Sequence, residues 1–132
     1  NKSVLDLFSG SGALGIEAIS RGAKSVVSID NNRANHRYLL SNFNSICKDD
    51  TYSVKCTDAI RYLKSTKEKF DIILCDPPYF KYEYMEIFSL SKLLLNKGGL
   101  FCMEMEKNVV DENIFRVKIY GSLQVILWRN NE

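Results

Sequence analysis

The only two prolines of this 132-residue chain, Pro77 and Pro78, stand between Asp76 and Tyr79 at the end of the apolar run FDIILC. Neither a strand nor a helix tolerates such a pair, because proline fixes φ and has no N–H to donate. It also drives the residue before it into extended backbone. DPPY therefore reads as a stiff turn that presents the Asp76 carboxylate and outward-pointing carbonyls as hydrogen-bond acceptors, followed at once by an aromatic ring.

A second chemical feature lies near the start. GSGALG (10–15) matches G-x-G-x-x-G with Gly10, Gly12 and Gly15, directly after an apolar run and opening a helical one. Asp30 follows about twenty residues later at the tip of SVVSID. Glycines of this kind permit a tight turn and close backbone approach to a ligand, while the carboxylate accepts hydrogen bonds from ribose hydroxyls. The pattern points to a nucleoside-containing cofactor, and both NAD and S-adenosylmethionine carry an adenosine. Asp6 bears on the choice. It sits inside the first strand, where burying a carboxylate costs free energy unless a cation or donor meets it. The α-amino group of S-adenosylmethionine is such a partner; a cap on neighbouring backbone amides is the alternative. Asp58, after the third strand, is placed either to accept from an adenine amine or simply to cap the helix that follows.

The elements that must position these residues alternate along the chain. SVLDLF (3–8), SVVSID (25–30), YSVKC (52–56), FDIILC (70–75) and GGLFCMEM (98–105) read as strands. Helices are expected over 13–22, from Asn31 to about Ile46 through Ala34, Tyr38, Leu39, Phe43 and Ile46, over 58–64, and after the prolines through Tyr84, Ile87, Phe88, Leu94 and Leu95. Repeated β-α units with continuously apolar strands predict a parallel sheet with helices on both faces. FRVKIY (115–120) and LQVILW (123–128), separated only by Gly121-Ser122, predict an antiparallel hairpin at the end.

Length and composition (45% hydrophobic, 26% charged) are those of one globular domain with a real core. The apolar runs are too short to span a bilayer, and no signal-peptide pattern opens the chain. A net charge of +2 with no Lys/Arg block permits a nucleic-acid partner without arguing for one. Cys47, Cys56, Cys75 and Cys102 are scattered without a Cys-x-x-Cys pair, which predicts buried reduced thiols of a cytoplasmic protein and no metal. His36 is expected on the exposed side of its helix. Glu104 and Glu106, at the end of the fifth strand, either face the crevice or, as the default, are ordinary surface carboxylates; Lys81 and the lysines of 64–69 either touch phosphate or, as the default, are solvated. The chain opens on Asn1 and enters a strand by Lys2-Ser3, so a preceding N-terminal segment is expected to be lacking.

DLFSGSG (6–12), SID (28–30), DA (58–59) and DPPY (76–79), in this order and spacing, resemble the class I S-adenosylmethionine-dependent methyltransferases. With VLDLFSGSGALGIEAISRGAKSVVSID, FDIILCDPPY and the closing IYGSLQVILWR, the chain is most similar to the RsmD-type bacterial small-subunit (16S) ribosomal RNA guanine-N2 methyltransferases. The resemblance implies a Rossmann-like, mostly parallel seven-stranded doubly wound sheet ending in an antiparallel hairpin. It implies S-adenosyl-L-methionine held by Asp6, Phe8, Ser9, Gly10, Gly12, Asp30, Asn31, Asp58, Ala59 and Asp76, with ribosomal RNA or an assembling small subunit as partner. An exocyclic base amine is a poor nucleophile because its lone pair is delocalised into the ring. Hydrogen bonds to the Asp76 carboxylate and the Pro77 carbonyl would hold it pyramidal, with Tyr79 as the third catalytic residue and Pro78, Tyr79 and Phe80 receiving the base. Cys75, ending an apolar strand, is read as a buried thiol and not as a nucleophile.

Four other readings compete: adenine-amine methylation, protein-glutamine methylation, an NAD-dependent oxidoreductase, and a nucleoside-binding module without catalysis. Asp in place of Asn at position 76 disfavours the first two. The oxidoreductase leaves Asp6, DPPY and the hairpin unexplained.

Overall fold

A computed structural model describes residues 2–47 and 51–132; Asn1, on which the sequence opens, lies outside the described residues. Seven strands, β1 (Ser3–Leu7), β2 (Ser25–Asp30), β3 (Tyr52–Cys56), β4 (Phe70–Cys75), β5 (Leu95–Glu106), β6 (Arg116–Tyr120) and β7 (Leu123–Arg129), form one sheet in the order β3-β2-β1-β4-β5-β7-β6. The first five run parallel, and β7 is antiparallel to both β5 and β6. The expected sheet, terminal hairpin included, is what the chain forms, with Gly121 at φ 62 in the two-residue turn.

Helices α1 (Ala13–Ser20) and α2 (Arg33–Ile46) lie on one face of the sheet, and α3 (Ala59–Ser65) and α4 (Tyr84–Ser91) on the other. Each face has its own core. Val4 and Val26 meet Leu39 and Phe43 of α2 on the first. Leu5, Leu7, Ile29, Ile73, Phe101, Met103 and Ile126 pack with Tyr62, Leu63, Ile87 and Phe88 on the second. Strands buried on both sides explain the continuous apolar runs.

Several expectations are corrected. Leu94 and Leu95 do not continue α4. The helix stops at Ser91, a 3₁₀ turn spans Lys92–Leu94, and Leu95 starts β5 opposite Phe70, three residues before the strand was expected. Burial of Leu95 in the sheet core outweighs its helical spacing. On α2 only Leu39 and Phe43 are buried, whereas Tyr38 and Ile46 are exposed, because a helix on a sheet presents only a narrow stripe to it. His36 is half-buried rather than exposed, with its Nδ1 shielded from solvent and unpartnered. All four cysteines are free, but only Cys75 is buried, and Cys56 is exposed.

Candidate active site

β1 is flanked by β2 on one side and β4 on the other, so the chain direction of the crossovers reverses between β1 and β4. Ligands of doubly wound sheets bind at the carboxyl ends of the strands at this switch point. Here a cavity of about 470 Å³ opens there, lined by Phe8 and Gly10 after β1, Ile29 to Asn32 at β2 and Thr57 and Ala59 after β3. Asp76 to Tyr79 after β4 complete it, with Asn35 and Tyr82.

The glycine loop is shaped by different demands at each position. Gly10, at φ 57, has open space where a side chain would be, and its N–H donates to Asp30 Oδ2 at 2.9 Å. Gly12, at φ 82, is the N-cap of α1, and a Cβ there would come within 2.2 Å of Leu39 Cδ1. A Cβ on Gly15 would press on Phe43 and Val26 at 2.9 and 3.0 Å. Gly10 thus serves the cavity, while Gly12 and Gly15 let α1 lie close to α2 and β2. Asp30 also accepts from the Asn32 N–H at 2.9 Å through Oδ1, so one carboxylate fixes both the glycine loop and the entry to α2.

Asp6 lies in the middle of β1, is 1% exposed, and leaves its Oδ2 without a hydrogen-bond partner. Among the described residues no backbone amide caps it; Ser9 Oγ donates to its main-chain carbonyl instead. Burial pushes the Asp6 carboxyl up to about 7, Ser9 opposes this, and the nearby charges of Asp76 and Asp30 add to it. Asp76, at the rim, is raised by partial desolvation. Two carboxylates, Asp30 and Asp76, therefore line the cavity with a third, Asp6, buried behind it, and among the described residues no cationic side chain pairs with any of them. No group of three or more His, Cys, Asp or Glu side chains arranged to hold a metal ion occurs among the described residues. The field is suited to an organic cation.

The turn after β4 places Pro77 buried and Pro78 and Tyr79 exposed, with Tyr79 48% accessible beside the cavity. Phe80 is 87% exposed at φ 60, a left-handed conformation uncommon for a bulky residue, and does not line the cavity. Phe8 has a similar backbone at φ 63 and packs edge-on against Tyr82 with ring centroids 4.8 Å apart. Asp58 caps α3 by accepting from the Arg61 N–H at 3.0 Å, and its Oδ1 accepts from Tyr82 Oη at 3.2 Å. Asp6, Ser9, Gly12 and Asp58 stand behind the lining rather than in it. Burial pushes the Cys75 thiol well above its ordinary value, which suits a core residue and not a nucleophile.

Sequence reasoning did not single out Tyr82, Asn32, Asn35, Thr57 or Ile29. Asn32 carried a readable signal: it is the N-cap of α2, its side chain accepting from the Asn35 N–H at 3.1 Å. Tyr82 carried none, since only the fold-back of residues 79–83 brings it across to Phe8 and Asp58.

A parallel doubly wound sheet closed by an antiparallel hairpin, with a glycine loop and an Asp-Pro-Pro-Tyr turn at its switch point, is the Rossmann-like architecture of the class I methyltransferases. The chain belongs to the family described as "Conserved hypothetical protein 95", whose model matches residues 1–129, and it is also similar to a curated methyltransferase. That relative is the ribosomal RNA small subunit methyltransferase D of Buchnera aphidicola, 32% identical over 97% of this chain and 71% of its own length. The ribosomal RNA large subunit methyltransferase K/L of Shewanella sediminis is 31% identical over 75% of this chain, which spans only 16% of that protein. Among solved structures, a conserved hypothetical protein of Streptococcus pyogenes superposes with a TM-score of 0.87 at 28% identity, covering 98% of this chain and 86% of its own.

Proposed function

We propose that this protein uses S-adenosyl-L-methionine to methylate the exocyclic N2 amine of a guanine in small-subunit ribosomal RNA. The observation that carries the reading is the combination, at one cavity, of a stiff acceptor turn in the lining with a buried carboxylate lacking a partner behind it. Similarity to ribosomal RNA methyltransferases of both subunits supports RNA as the substrate class, and two small-subunit relatives are matched over 71% and 70% of their length.

The residues present fit the cofactor. Asp6 offers an unpartnered acceptor for an ammonium group, Asp30 an acceptor for ribose hydroxyls, and Phe8, Ile29 and Ala59 an apolar wall for a purine. Gly10 leaves room for close approach, Asn31 lines the cavity, and Ser9, Gly12 and Asp58 hold the loops that frame the site. The cofactor, when bound, supplies a methyl group on a positively charged sulfur. An NAD-type ligand brings negative phosphates to a cavity already lined by two carboxylates and backed by a third, which disfavours it.

The protein's contribution is positioning and electrostatics. Asp76 and the Pro77 carbonyl accept hydrogen bonds from the amine N–H groups and aim its lone pair. Burial lifts the Asp76 carboxyl, which makes it a better acceptor for the proton the nitrogen sheds. Tyr79, with Pro78 and Phe80, receives the flipped-out base by stacking.

Two measurements test the reading. S-adenosylhomocysteine should raise the melting temperature by mass action and NADH should not; the reverse preference would remove the cofactor assignment. Labelled methyl should pass to small-subunit RNA or to assembling subunits, and Asp76→Ala should lower that transfer at least about a hundredfold. Undiminished transfer by the variant would exclude the mechanism.

A further inference from the structure

Guanine differs from adenine beside the reacting amine: N1 of guanine carries a hydrogen and donates, whereas N1 of adenine accepts. A site that holds the amine on Asp76 can select guanine by placing a second acceptor next to the first. The register of the sheet supplies one.

Cys75 of β4 is paired with Met103 of β5, and both side chains are buried in the core under α3 and α4. Side chains alternate along a strand, so Glu104, the next residue of β5, turns to the face opposite Met103, while Asp76 follows directly where β4 ends at Cys75. Asp6 lies on that same face two residues lower, its β4 partner being Leu74. Glu104 is half-buried and makes no hydrogen bond or ion pair among the described residues. On its other side the β7 neighbour is Val125, which offers no competing donor. After desolvation, the negative charges of Glu104, Asp76 and Glu106, in that order, raise the Tyr79 phenol. Glu106 instead borders a second cavity of about 140 Å³ with Pro77, Pro78 and Met103.

We propose that Glu104 is the specificity residue of the site, its carboxylate accepting the N1–H of the guanine whose amine is held by Asp76 and Pro77. The inference rests on the guanine-amine reading above. An ionised carboxylate only accepts hydrogen bonds, so it pairs with N1–H of guanine and repels the N1 lone pair of adenine. Sites built around a substrate hydrogen bond reject the analogue lacking it strongly, because a partner is left unpaired.

The test uses two readouts on the wild type, Glu104→Ala, Glu104→Gln and the exposed-loop control Glu112→Ala. In methyl transfer to small-subunit RNA, Glu104→Ala should lose about ten- to hundredfold in kcat/KM for RNA with an unchanged KM for S-adenosylmethionine. Glu104→Gln, which keeps an acceptor oxygen, should retain most activity, and Glu112→Ala all of it. In NMR titrations of protein saturated with S-adenosylhomocysteine, the wild type should prefer GMP over AMP and 1-methyl-GMP by about tenfold or more. Glu104→Ala should bind all three alike. A wild type that methylates RNA guanine while Glu104→Ala keeps both its transfer and its GMP preference overturns this inference alone. Wild-type protein that transfers no methyl to RNA overturns the function and this inference together.

Discussion

Asp30 Oδ2 accepts the Gly10 N–H at 2.9 Å, so the tip of β2 holds the glycine loop that follows β1 in the conformation that opens the cavity. The other oxygen of the same carboxylate accepts from Asn32 at the entry to α2. A residue proposed to meet a ribose therefore also holds the loop that lines the pocket. Asp30→Ala should raise the dissociation constant for S-adenosylhomocysteine by at least about tenfold and lower stability by about 1–3 kcal/mol. Calorimetric titration and denaturant unfolding measure the two effects; a variant with native affinity would leave Asp30 without either role.

Asp6 gives a pH signature of known sign. Its carboxyl is raised from 3.8 to about 7, so between those values the folded chain binds a proton that the unfolded chain releases. The stability conferred by this group is full below pH 3.8 and is lost as pH rises toward and through 7. Asp6→Asn removes the dependence. The variant without cofactor should become progressively more stable than wild type from about pH 4 to 7, reaching roughly 2–4 kcal/mol, with no further gain above that. Urea unfolding at several pH values checks this, and parallel pH profiles for the two proteins would contradict it.

Cofactor binding should make the same carboxylate release its proton. An ammonium group beside Asp6 restores the ionised form, so S-adenosylhomocysteine bound at pH 6 should liberate protons. Calorimetry in buffers of different ionisation enthalpy reads their number. Asp6→Asn should abolish the release and weaken binding by about tenfold or more.

Gly12 is a stability position. Alanine there meets Leu39 Cδ1 at 2.2 Å and a backbone at φ 82, and Leu39 is fully buried in the core. Gly12→Ala should cost about 2–3 kcal/mol, whereas Gly10→Ala, with open space at its Cβ, should cost about 1 kcal/mol from its φ alone. Equal losses in thermal unfolding would refute this division of labour between the glycines.

Tyr82→Phe removes the hydroxyl that donates to Asp58 and keeps the ring packed on Phe8. Cofactor affinity should fall about two- to fivefold with little change in melting temperature, since one hydrogen bond at a half-exposed position is modest. A loss of a hundredfold would mean that Tyr82 touches the ligand directly.

Much of this protein was determined locally. The alternating elements, the glycine loop, the cap at Asp58 and the turn at Pro77-Pro78 follow from apolar period and backbone chemistry, which neighbours in sequence decide. The terminal hairpin was legible because two β-rich runs sat two residues apart. Other features existed only in three dimensions. Leu95 left its helical spacing for β5 because the sheet core buried it beside Phe70. Tyr82 reached the cavity by a loop fold-back, and the β4–β5 register set Met103, the residue before Glu104, opposite Cys75, the residue before Asp76, across 28 residues of chain that carry no mutual pattern. The sequence named three acidic residues near a ligand; only the packed sheet decided that Asp6 would be sealed from water without a partner, because burial is a property of what surrounds a residue and not of the residue itself.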